Sequence, residues 1–78
     1  MPRLPVVSGK EVVRALSEMG LRKVSQKGSH IKLRGFVKGR TRTIIVPDHR
    51  EIRKGTLRNG IIKPAGLSVE EFINLLRS

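Results

Sequence analysis

The sequence has no cysteine, no tryptophan and no tyrosine, two phenylalanines (Phe36 and Phe72), and 6 acidic residues in a chain of 78. Each scarcity closes off a class of function. Without cysteine there is no disulfide framework and no thiolate metal site. With so few aromatics, the modules that read single-stranded RNA by stacking bases on aromatic platforms fit poorly, and recognition is expected to rest on phosphate and shape. The acids are too dispersed for a two-metal nuclease, which needs clustered carboxylates. Glu11 and Glu71 occupy helix-capping positions, Glu18 and Glu70 fall on helical segments, and Asp48 and Glu51 alone remain in a loop. The chain is therefore expected to work without metal or cofactor. No apolar run is long enough to cross a bilayer. No segment pairs a large apolar face with an all-basic one, as a membrane-surface helix would. Met1-Pro2-Arg3-Leu4-Pro5 lacks the apolar core of a signal peptide, so a cytoplasmic protein with no membrane partner is expected.

What the chain has in quantity is positive charge. Its 17 Lys and Arg leave a formal net charge of +11, spread along the sequence rather than gathered in a tail. A folded domain with that balance attracts polyanions, with nucleic acid the first candidate and an acidic protein the second. Hydrophobic residues make up 37% and glycine adds 8 more positions, which is enough apolar content for a globular fold rather than a charged disordered tail. The length suits one small domain over residues 1–78, which buries only about 60% of its unfolded surface.

Periodicity sets the order of elements. Ser8 and Glu11 form an S-x-x-E capping box, Val12, Val13, Leu16 and Met19 recur at helical spacing, and Gly20 is a natural stop. A weakly alternating strand over Leu21–Gln26 follows, then a turn at Lys27-Gly28-Ser29 and a second strand from His30 to about Val37. Lys38-Gly39-Arg40 reads as a hairpin loop, and Thr41–Val46 is a β-branched third strand stopped by Pro47. A helix carrying Leu57, Ile61 and Ile62 is expected to begin near Gly55-Thr56, weakened by Gly60 and ended or kinked by Pro64. Ser68 opens a last helix through a second capping box to Glu71, with Val69, Phe72, Ile73 and Leu76 on its apolar face. The fold class is α+β: a helix, a three-stranded antiparallel sheet, then helices, with the helices on one face of the sheet and the other face open.

The chemistry concentrates at Lys27-Gly28-Ser29-His30. Side chains alternate along a strand, so His30, Lys32 and Arg34 point to one face and Ile31 and Leu33 to the other. An imidazole with an ordinary pKa of about 6.5 both takes and gives protons near neutrality, and cations beside it bind phosphate; metal-free RNA cleavage requires that pairing. His30 is thus the candidate catalytic group, and Lys27, Lys32 and Arg34 the candidate RNA-binding cations. The plainer readings are a solvated histidine at a hairpin turn and cations that serve solubility. His49 invites a two-histidine mechanism but reads more simply as a loop residue. Ser29 is a turn former or a hydrogen-bond partner that orients His30 rather than a nucleophile. Lys54-Gly55-Thr56 lacks the glycine spacing of a phosphate loop and starts a helix.

Taken in order, these segments resemble the HicA, or YcfA-like, toxins. Ser8-Gly9-Lys10-Glu11-Val12 with Leu16 and Gly20 looks like that family's first helix, and Lys27-Gly28-Ser29-His30 like its catalytic G-S-H element. Pro47-Asp48-His49, Lys54-Gly55-Thr56-Leu57-Arg58, Ala65-Gly66-Leu67-Ser68 and Glu70-Glu71-Phe72 look like its C-terminal half. Asn59-Gly60 and Pro64 depart from the more regular helix of the family. The resemblance implies a double-stranded-RNA-binding-domain-like fold, an mRNA-cleaving endoribonuclease of a type II toxin–antitoxin pair with His30 catalytic, and a small acidic antitoxin of the HicB type as partner. Two other readings keep the charge and do not need His30: a non-catalytic RNA-binding domain of the same fold, and a basic adaptor for an acidic protein.

Overall fold

The computed structural model describes residues 3–78, so the first two residues of the Met1–Pro5 segment lie outside it. The elements run α1 (Gly9–Ser17), β1 (Arg22–Lys27), β2 (His30–Val37), β3 (Arg40–Pro47), α2 (Thr56–Ile62) and α3 (Val69–Arg77). The strands form one antiparallel sheet in the order β1-β2-β3. All three helices supply buried side chains to a single core on one side of that sheet. This is the α+β arrangement expected from the periodicity, and it is consistent with the double-stranded-RNA-binding-domain-like fold that the resemblance implied.

Both capping boxes form. The Ser8 hydroxyl accepts from the Glu11 backbone N–H at 3.1 Å and the Glu11 carboxylate accepts from the Ser8 N–H at 2.9 Å. Ser68 and Glu71 repeat the arrangement at 3.0 and 2.9 Å. Helix α1 buries Val12, Ala15 and Leu16, with Val13 and Met19 at its margin, and the chain leaves it through Gly20 at φ +97°. Strand β2 buries Ile31, Leu33 and Val37, and β3 buries Ile44 and Val46. From α3, only Phe72 is fully enclosed. The Lys38-Gly39 loop takes φ of 50° and 86° at its two central residues, the primed turn whose twist matches antiparallel strands.

Two strands differ from expectation in their boundaries. Strand β1 is shifted by one residue, from Arg22 to Lys27, so Lys27 belongs to the strand and not to the turn, and β3 extends by one residue at each end. The larger difference is α2, which winds as a π-helix: the Lys63 N–H donates to the Arg58 carbonyl five residues back at 3.1 Å. Pro64 has no N–H to offer the Gly60 carbonyl four residues back, and its ring would clash there, so an ordinary α-turn is not available. Gly60 tolerates the wider path, and Leu57, Ile61 and Ile62 still reach the core. Arg42, on the core side of β3, reaches under this helix. Its Nε donates to the Val37 carbonyl at 2.9 Å and its NH1 to the Pro64 carbonyl at 3.2 Å. Gly66 leaves the room it needs, since a Cβ there would stand 2.6 Å from the guanidinium carbon.

Candidate nucleic-acid interface

The open face of the sheet follows from the register. Paired residues on antiparallel strands place their side chains on the same face. On β2 and β3, His30 pairs with Pro47, Lys32 with Ile45, Arg34 with Thr43 and Phe36 with Thr41. On β1, Lys27 pairs with His30, Ser25 with Lys32 and Arg22 with Arg34. Residues 22 and 25 have opposite parity and would face apart on a regular strand. The register shift between Lys23 and Ser25 is a bulge that returns Arg22 to the same face. The sheet thus gathers Arg22, Lys27, His30, Lys32 and Arg34 on one surface. Each candidate from the sequence stands on it, and Arg22 joins them. Arg22 lies directly across from Arg34, an arrangement of like charges that destabilises a sheet and that a bound polyanion relieves.

A short chain of hydrogen bonds fixes the turn that carries His30. Gly28 sits at φ +59°, its carbonyl accepts from the Gln26 side-chain amide at 3.0 Å, and the Gln26 oxygen accepts from Lys23 Nζ at 2.7 Å. The Ser29 carbonyl accepts from the Asp48 N–H at 2.7 Å, tying the turn to the end of β3. Ser29 therefore acts through its backbone. His30 itself is exposed, open to a substrate arriving on the sheet face.

None of the three strands carries an Asp or Glu. Among the described residues the ion pairs are Arg14–Glu18 at 3.5 Å, within and just after α1, and Lys38–Glu71 at 2.9 Å, at the far hairpin. The Lys38 ammonium and, after it, the Ser68 backbone N–H hold the Glu71 carboxyl below the usual carboxylate range. The Ser8 backbone N–H chiefly does the same for Glu11. Both acids are committed to helix ends. Arg22, Lys27, Lys32 and Arg34 have no carboxylate partner among the described residues, which leaves their charge available to a ligand. Arg34 Nε donates to the Thr43 hydroxyl at 3.3 Å, which orients the guanidinium along the face.

His49 lies at the same end of the molecule. It is exposed, and its carbonyl accepts from the Gly9 N–H at 2.9 Å, so its backbone docks α1 against the end of the sheet. Ser8, Lys10, Asp48 and Arg50 surround it in a shallow depression. Among the described residues no group of three His, Asp or Glu side chains comes together. Lys54 and Gly55 form a first helical turn ahead of α2, with no side chain capping it.

The family model described as HicA toxin of bacterial toxin-antitoxin matches residues 9–67. That span runs from the first residue of α1 to the residue before the cap of α3 and includes the whole sheet. No curated protein matches the chain. No solved structure matches it.

Proposed function

The chain belongs to the HicA toxin family of bacterial toxin–antitoxin pairs, and from that premise we propose that it is a metal-independent endoribonuclease that cleaves mRNA with His30 as general acid and base. The observation that supports this most is the position of His30, on a sheet face to which the strands contribute four cations and no acidic residue. RNA phosphates lie along Arg22, Lys27, Lys32 and Arg34. The His30 imidazole removes the proton from a ribose 2′-hydroxyl as its oxygen attacks the neighbouring phosphorus. The bond from phosphorus to the 5′-oxygen breaks, and the leaving oxygen takes a proton from the imidazolium or from water. The products are a 2′,3′-cyclic phosphate and a 5′-hydroxyl. Lys32 and Arg34, both within one or two side-chain steps of His30, offset the charge that gathers on the phosphorane.

The antitoxin of such a pair has to silence this face. A small acidic protein of the HicB type, lying over His30, Lys32 and Arg34, competes with RNA for the same cations, and the net charge of +11 speeds its arrival.

The deciding experiment compares the wild type with His30→Ala on a long single-stranded RNA in EDTA. Loss of a general acid–base group lowers the cleavage rate by about 10²–10⁴-fold. A folded His30→Ala protein with full activity refutes the assignment. RNA binding by both proteins with cleavage by neither favours the second reading, a non-catalytic RNA-binding domain, for which the same cationic face is the argument.

A further inference from the structure

Phe36 is the most exposed of the large hydrophobic residues described, at 70% of its surface, whereas Phe72 is fully buried. It stands on the open face of β2, two residues from Arg34, across from Thr41. It lies six positions along the strand from His30, or about 20 Å at 3.3 Å per residue. The β1 pairing stops at Arg34, and past it an open groove of about 580 Å³ runs from Phe36 around the free edge of β2 to the helical layer, with Met19, Leu67 and Leu75 on its apolar walls and Asn74 among its lining residues. The groove's one cation, Lys38, is held at 2.9 Å by Glu71 and at 2.8 Å by the Gly66 carbonyl. The groove is therefore poorly suited to a phosphate. It is lined by Phe36, by apolar walls, by the Asn74 amide that both donates and accepts, by the Ser78 hydroxyl and by the Glu71 carboxylate that holds Lys38, in a volume within the range of small-ligand sites.

We propose that Phe36 and this groove form a nucleobase subsite for single-stranded RNA, several nucleotides from the cleaved bond. The inference rests on the RNA-cleaving reading of His30 and extends it. A strand whose phosphates follow Lys32 and Arg34 along β2 arrives next at Phe36, where the free cations end and an unpaired base meets the ring. Stacking of this kind tolerates any base, and the Asn74 amide supplies a group able to read a base edge. Affinity for single-stranded RNA thus depends on one aromatic platform in addition to phosphate contacts.

The chain contains no tryptophan or tyrosine, so Phe36→Trp introduces a sole indole at the subsite. The test uses Phe36→Trp in a His30→Ala background, titrated with a single-stranded oligoadenylate decamer. Indole emission is expected to be quenched, and to saturate at the same concentration as the anisotropy of end-labelled RNA. In the same background, Phe36→Leu is expected to weaken binding by about 5- to 150-fold, the range of one stacked base, while Phe36→Tyr retains it. Unchanged emission while labelled RNA still binds overturns the subsite and leaves the cationic face standing. Absence of RNA binding to any variant overturns both. An indole that responds to an acidic protein partner but not to RNA assigns the groove to that partner and overturns the subsite.

Discussion

Removing the charges of Lys32 and Arg34 tests whether the sheet face is the RNA surface, and the register gives the magnitude. Four cations, Arg22, Lys27, Lys32 and Arg34, share that face without a carboxylate partner among the described residues. Each phosphate neutralised on a single strand contributes about −0.7 to the slope of log affinity against log salt, so four contacts predict a slope of about −2.8. Affinity then falls by about 50-fold between 50 and 200 mM salt. In Lys32→Ala/Arg34→Ala two contacts remain, the slope becomes about −1.4, and the same change in salt costs only about 7-fold.

The measurement is the anisotropy of a labelled single-stranded RNA across a salt series in EDTA, with His30→Ala in every protein to prevent cleavage. A charge-matched control separates local contacts from net charge. Arg58 and Lys63 are exposed at α2 and its C-terminal edge, in the helical layer behind the sheet. Arg58→Ala/Lys63→Ala lowers the net charge by the same two units and is expected to keep the slope near −2.8, because charges beyond a Debye length of about 10 Å at 0.1 M salt are largely screened. Equal slopes for the wild type and Lys32→Ala/Arg34→Ala refute the placement of RNA on this face. Equal flattening in both double variants shows that affinity follows net charge and not these contacts.

Gly35→Ala places a Cβ 2.1 Å from the Gly20 carbonyl oxygen, where neither backbone has room to give. It is expected to lower stability by about 1–3 kcal/mol, read as a lower urea midpoint at unchanged m-value. The lowered Glu71 carboxyl stabilises the fold in full above its unfolded value of about 4.3 and loses that contribution as pH falls through the lower folded value. Glu71→Gln should therefore melt below the wild type at neutral pH and approach it on acidification; a gap in melting temperature that persists in acid refutes the linkage. For the antitoxin, mutually exclusive binding of RNA and of a small acidic partner is expected. A ternary complex that holds RNA at its original affinity refutes occlusion of the sheet face.

Where local rules decided the outcome, the fold was legible in the sequence. The Ser8–Glu11 and Ser68–Glu71 boxes, the Gly20 stop and the alternation of His30-Ile31-Lys32-Leu33-Arg34 each depend on neighbours within four residues, and each formed as read. The path of α2 was harder. Gly60 and Pro64 announced that a regular helix would fail, but a break, a kink and a wider turn satisfy that requirement equally. The burial of Leu57, Ile61 and Ile62 beneath Arg42's bonds to Val37 and Pro64 selects the wider turn, and those contacts are tertiary.

The candidate site shows the same division. His30, Lys32 and Arg34 share a face by strand parity alone, and Lys27 joins them across a two-residue turn. Arg22 was hidden because the bulge after Lys23 inverts the parity of β1, and the weak alternation of that segment was its only trace in the sequence. Phe36 differs from both. The shortage of aromatics argues against a module built on several stacking platforms, and a tally cannot say where the two rings lie. One fills the core, and the other stands exposed at the end of the row of cations. Composition limits how many bases an aromatic platform can hold. Whether it holds one depends on position, and on this face that position follows directly from the register that places His30.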